Sequence, residues 1–171
     1  MTWTAPAPDP VDGPLLGADL PILSGYLAWQ RRTLLNICAG LTGEQLASRP
    51  IPSSNLSLLG LVRHMAKVER VWFRIRIGRE PIAWFYADSP DKDADFNELD
   101  PAEAEAAVER LQKEWRLGDA AAASADLDDT IDVRGDEMSV RMVYVHMIGE
   151  YARHNGHADL LRESIDGVTN R

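Results

Sequence analysis

Three of the chain's four histidines, His146, His154 and His157, fall in one late stretch, and Glu150 lies midway between the first two. On a helix, which advances about 100° per residue, Glu150 sits roughly 40°, His154 roughly 80° and His157 roughly 20° round from His146. All of these side chains therefore share one stripe. Val143, Ile148, Leu160 and Leu161 flank it, so part of the stripe is expected to face the interior. Imidazoles and a carboxylate gathered at an interior face are costly unless something pairs with them. A divalent metal is one such partner.

Glu150 and His154, one helical turn apart, are neighbours on a helix face and well spaced for two ligands to one ion. A third ligand from another helix would complete an open site of the catalytic zinc type, in which protein donors leave one position for a bound molecule. His64 is the only histidine outside the late stretch, which makes it the candidate. Stripe geometry alone leaves alternatives open. His146 could take the place of Glu150, and His157 could hydrogen-bond a ligand or a substrate. An ordinary polar network involving Arg153 and Glu163 would also account for these residues. With a metal present, a bound water or thiol would lose its proton near neutral pH. His157 and His146 are then the candidates for proton transfer or for orienting a ligand.

The elements that must position these groups are helices. Ser139 is expected to cap the last one, which runs to about Ser164. His64 lies in a helix expected from Ser57 to Ile77, among Leu58, Leu61, Met65 and Val68 at helical spacing. A first helix is expected from Asp19 to about Gly40, with Pro21 in its first turn. Thr42 to Gln45 reads as a capping box opening a short helix that ends before Pro50. Asp100-Pro101-Ala102-Glu103 opens a further long helix, with Asp as cap and Pro at the first helical position. Between these lie two long connections. Residues 79–99 carry the aromatic patch Trp84-Phe85-Tyr86 and an acidic run from Asp88 to Asp95. Residues 124–138 are polar and acidic, with a short extended piece at Thr130 to Val133.

The expected architecture is all-α, a four-helix bundle built on the long helices. Residues 1–14, with their prolines, form a flexible N-terminal arm that packs through Trp3, and residues 15–171 form a single domain. The connection at 79–99 is long enough to cross the bundle, so the second and third long helices can run parallel.

Composition excludes several function classes. The formal net charge is -9 and the pI about 4.9, a poor match to nucleic acid, whose binding rests on neutralising phosphates. No window approaches the roughly 18 uninterrupted apolar residues of a membrane span. The N-terminus lacks the basic and apolar regions of a secretion signal. A lone cysteine, Cys38, rules out an intramolecular disulfide. A cytoplasmic location is expected.

The segment Glu150-Tyr151-Ala152-Arg153-His154-Asn155-Gly156-His157-Ala158-Asp159-Leu160-Leu161-Arg162-Glu163 resembles the last-helix signature of the DinB-like superfamily. Leu58-Leu59-Gly60-Leu61-Val62-Arg63-His64-Met65 resembles its second-helix motif, and Leu34 to Leu46 and Val71-Trp72-Phe73 also fit. The resemblance spans about residues 15–165, and within the superfamily it points to small actinobacterial proteins. It implies a bundle in up-down-down-up order and a metal held by His64, Glu150 and His154. A His–Glu–His set is similar to that of mycothiol-dependent maleylpyruvate isomerase, which uses zinc. Broader relatives include thiol S-transferases using mycothiol or bacillithiol, and many are dimers.

The resulting expectation is a metal-dependent enzyme that activates a low-molecular-weight thiol such as mycothiol for transfer to, or isomerisation of, an electrophilic small molecule. Zinc is the expected ion; nickel, iron and manganese suit the same donors. The partners are then the thiol, the electrophile and a second copy of the chain in a homodimer, with neither nucleic acid nor membrane. A metal-dependent hydrolase on the same site and a non-enzymatic, stress-related scaffold are the alternatives.

Overall fold

The computed structural model describes residues 2–169; the outermost ends of the expected arm and domain, residue 1 and residues 170–171, lie outside the described residues. Helix α1 runs Asp19–Cys38, α2 Gly43–Ala47 and α3 Leu58–Glu69. Helix α4 is the short Ala94–Asn97, α5 runs Ala104–Ala122 and α6 Val140–Asp166. Strands β1 (Thr130–Val133) and β2 (Asp136–Ser139) form an antiparallel hairpin before α6.

Local chemistry explains the boundaries. The Thr42 hydroxyl accepts from Gln45 N while the Gln45 side chain accepts from Thr42 N, a complete capping box. The Ser57 and Ser139 hydroxyls accept from Gly60 N and Met142 N, satisfying donors that a helix start leaves unpaired. The Asp100 carboxylate accepts from Ala102 N, and a 3₁₀ turn at Pro101–Glu103 leads into α5. Helix α6 ends on Gly167 in the left-handed conformation, φ 77°.

The expected second long helix is not uniform. Beyond Glu69 it continues as a π-helix, Arg70–Ile77, closed by Gly78 N donating to Phe73 O at 2.8 Å. Phe73 is fully buried there, so close to α5 that a Cβ on Gly118 would lie 3.0 Å from the Phe73 Cβ.

Helix directions follow from which residues meet. Asp19 pairs with Arg141, Gln30 with Asn155 (2.8 Å) and Ile37 O with Arg162 (2.6 Å), so α1 and α6 are parallel. Arg70 meets Glu114 at 3.2 Å, and Phe73 meets Gly118, so α3 and α5 are parallel. Glu69 meets Tyr151 at 2.8 Å while the earlier His64 meets the later His154, so α6 opposes α3. The order is up-down-down-up, and the connection at 79–99 makes the crossing that parallel α3 and α5 require. This is the all-α bundle expected from the sequence.

The core gathers Leu34, Leu35 and Ile37 of α1, Leu58, Leu61 and Met65 of α3, Leu111 of α5, and Val143, Met147 and Tyr151 of α6. Each aliphatic side chain removed from water contributes about 1.5–3 kcal/mol. Thr4 bridges Thr42, and Ala5 exchanges backbone hydrogen bonds with Leu41 (2.9 Å) and Gly40 (2.8 Å). These bonds tie the N-terminal arm to the turn after α1, and Trp3 packs against the core. Among the described residues no helix is long and apolar enough to cross a membrane.

A charged network sits inside the bundle. Arg31 donates to both oxygens of Glu69 at 2.7 Å, with side-chain exposures of 4% and 0%. Tyr151 Oη donates to Glu69 Oε1 at 2.8 Å and accepts from Trp115 Nε1 at 2.8 Å. The network joins all four long helices.

Candidate metal centre

Helix α3 presents His64, and α6, running the other way beside it, presents Glu150 and His154. One ligand atom from each of these three lies within 4.8 Å of the others. The imidazoles of His64 and His154 meet edge to face, with centroids 4.9 Å apart. His154 Nε2 lies 3.6 Å from Glu150 Oε2, too long for a hydrogen bond. Burial pushes His154 down to about 4, helped by neighbouring His64, although Glu150 acts in the opposite sense. The imidazole is therefore neutral at physiological pH, the form that can coordinate a cation.

Each imidazole of the group has its other nitrogen engaged. His64 Nδ1 lies 2.8 Å from Asp95 Oδ2, which also accepts from Lys67 Nζ at 2.8 Å. His154 Nδ1 faces His157 Nδ1 at 3.4 Å. The donor set fits a divalent ion: two imidazoles and a carboxylate, gathered from two helices and partly screened from solvent. Arg153, largely exposed, stands 3.6 Å from Glu150 and adds little to holding it.

The other sequence candidates are distributed differently. His157 is at the edge of the group, beside His154. His146 stands apart from it, with its ring against Trp72 at 4.4 Å. Arg74 is bound to Glu80 and Glu114, and Arg76 to Asp132 O while lying over the Trp72 ring. Phe85 is covered by Arg70 and Arg110, and Tyr86 Oη accepts from Arg63.

Asp95 was not legible as part of the site. It belongs to an acidic run that reads as solvated chain, yet its side chain is 1% exposed. Its apolar neighbours Ala94 and Phe96 are the one local signal, and both pack inward, Phe96 with its ring 4.9 Å from that of His64. Arg63 holds this segment down by donating to the carbonyls of Ala94 (3.1 Å) and Glu98. Burial works against ionisation of Asp95, but the hydrogen bonds from His64 and Lys67 outweigh it and hold the carboxyl below its ordinary range.

The ordinary value of a free histidine is 6.5, and His154 in the folded chain is near 4. Between these values the unfolded chain binds the additional proton, so stability falls as pH drops through this window and levels off above it. Urea midpoints of chelator-treated protein, measured from pH 7 to pH 4, should fall less steeply in His154→Gln; parallel profiles would contradict the assignment. Cys38 is fully buried and its thiol is pushed up to about 12 by that burial. It should resist iodoacetamide at pH 8 in native protein and react only on unfolding; rapid native labelling would show the site to be open.

No curated protein matches the chain. A family profile described as Mycothiol-S-transferase matches residues 22–167, which take in all the helices from the body of α1 to the end of α6 and every member of the candidate site. That extent and that content make the chain a member of the mycothiol-S-transferase family, within the DinB-like superfamily.

Proposed function

We propose that this chain is a metal-dependent S-transferase in which His64, Glu150 and His154 hold a divalent ion, with zinc the ion of choice, and mycothiol or a related thiol is the co-substrate. The observation that carries the reading is the convergence of those donors within 4.8 Å at the junction of two antiparallel helices, in a chain that belongs to a mycothiol-related family. A divalent ion there would lower the pKa of a thiol bound to it, so that the thiol is held as thiolate at neutral pH.

The chain's own residues supply the rest. Glu150 contributes the negative charge that offsets a dication, and the imidazoles supply neutral donors. The protein's own thiol, on Cys38, is buried and protonated, so the reacting sulfur comes from the small thiol. The thiol gives up its proton as it binds, and His157, beside His154, is the base proposed to take it; the thiolate then forms the sulfur–carbon bond as the electrophile's leaving group departs with its electron pair or its π bond opens and is protonated. His146, whose ring lies against Trp72 away from the three donors, is the candidate for orienting a ligand. The exposed apolar side chains Tyr26 and Trp29 of α1 and Met142 and Val145 of α6 are the candidates for contacts in a homodimer.

The test is transfer from mycothiol to a panel of electrophiles, followed by loss of free thiol, with the protein loaded with zinc, nickel, iron or manganese in turn. Thiol-dependent turnover that disappears on chelation and returns with metal is expected. Turnover of ester or amide substrates without thiol would favour a hydrolase. No turnover by metal-loaded protein with any electrophile would overturn the transferase reading.

A further inference from the structure

The structure assigns Asp95 as the positioning residue of the His64 ligand: it fixes which imidazole nitrogen carries the proton and cancels the charge of Lys67 beside the site. This inference rests on the metal reading above. Asp95 lies in the connection between α3 and α5, far from His64 in sequence, and the fold returns it to the helix by the anchoring of α4. Its Oδ2 receives both His64 Nδ1 and Lys67 Nζ at 2.8 Å. A carboxylate only accepts, so the His64 contact requires the proton on Nδ1, and in the neutral ring this leaves Nε2 with its lone pair free to coordinate. Phe96 on the ring face restricts rotation of the same imidazole.

Lys67 and His64 reach one carboxylate oxygen, so the ammonium is held beside the His64 ring on its Nδ1 side. Without Asp95 that cation would oppose a dication in a poorly solvated setting. The carboxylate's other oxygen, Oδ1, is buried and has no protein partner among the described residues.

The experiment combines two readouts. The first is the nitrogen-15 spectrum of the imidazoles in metal-free wild-type protein. His64 is expected as the Nδ1–H tautomer, and an Nε2–H signature overturns the proposal without any variant. The second is zinc affinity by competition with a chromophoric chelator. Asp95→Ala is expected to lose about 10–100-fold in affinity and to show mixed tautomers at His64. Asp95→Asn keeps an acceptor without the charge and should fall between Asp95→Ala and wild type. Wild-type affinity in a folded Asp95→Ala protein overturns the proposal, and the tautomer spectrum decides the matter if that variant does not fold. Failure of wild type to take up zinc would instead refute the metal reading, while the tautomer result still stands or falls on its own.

Discussion

His64→Ala and His154→Ala should each abolish stoichiometric metal binding, whereas Cys38→Ala should leave it intact. Protein purified without a tag or a chelator is expected to carry about one metal per chain by elemental analysis, a stoichiometry that follows from one open three-donor site. Removing either imidazole leaves a two-donor remnant. The loss should be close to complete because His64 comes from α3 while Glu150 and His154 come from α6. Without His64 the remaining donors share one helix face, and without His154 the donors that remain are single ones on separate helices. Cys38 is fully buried, so its sulfur does not compete. Metal retained at wild-type stoichiometry in both histidine variants would refute the ligand assignment.

Glu69→Ala should be the most damaging single core substitution, costing on the order of 3–5 kcal/mol, the usual result of leaving a buried charge without its partner. Glu69 is fully buried and accepts two hydrogen bonds from Arg31 and one from Tyr151. Its removal leaves the Arg31 guanidinium with only Asp119, whose side chain is 60% exposed. It also leaves the Tyr151 hydroxyl without an acceptor. Against a typical total stability of about 5–15 kcal/mol, a loss of that size removes a large share of the folding free energy. The double variant Arg31→Met, Glu69→Leu removes both charges together and should cost markedly less than Glu69→Ala. Urea unfolding of the variants reads this comparison. A change below about 1 kcal/mol in Glu69→Ala would show that the pair is not sealed from water, since exposed pairs contribute at that level.

The local features of this chain were readable without a structure. Capping residues, helical periodicity and the proline at the start of the helix after Asp100 act within a turn or two of chain, and each boundary they marked is present within a few residues. The placement of Glu150 and His154 on one face is likewise a property of a single helix. The hairpin was half legible. Thr130 to Val133 carries the β-branched residues of a strand, but its partner Asp136-Glu137-Met138-Ser139 is polar. The turn uses Arg134 and Gly135, both at positive φ, in place of the more recognisable asparagine-glycine.

Sequence by itself therefore determined the helices, their caps, the all-α class and the shared face of Glu150 and His154 within α6. Only the tertiary structure decided which imidazoles come together, because the distance between His64 and His154 depends on the register of α3 against α6. The same non-local packing set His146 against Trp72, buried Arg31 on Glu69, and brought Asp95 from an acidic connection to the back of His64. Hydrophobic periodicity reports which face of a helix turns inward. It carries no information on which charged groups of distant segments meet there, since that pairing is fixed by interhelical register and desolvation, which no window of sequence contains.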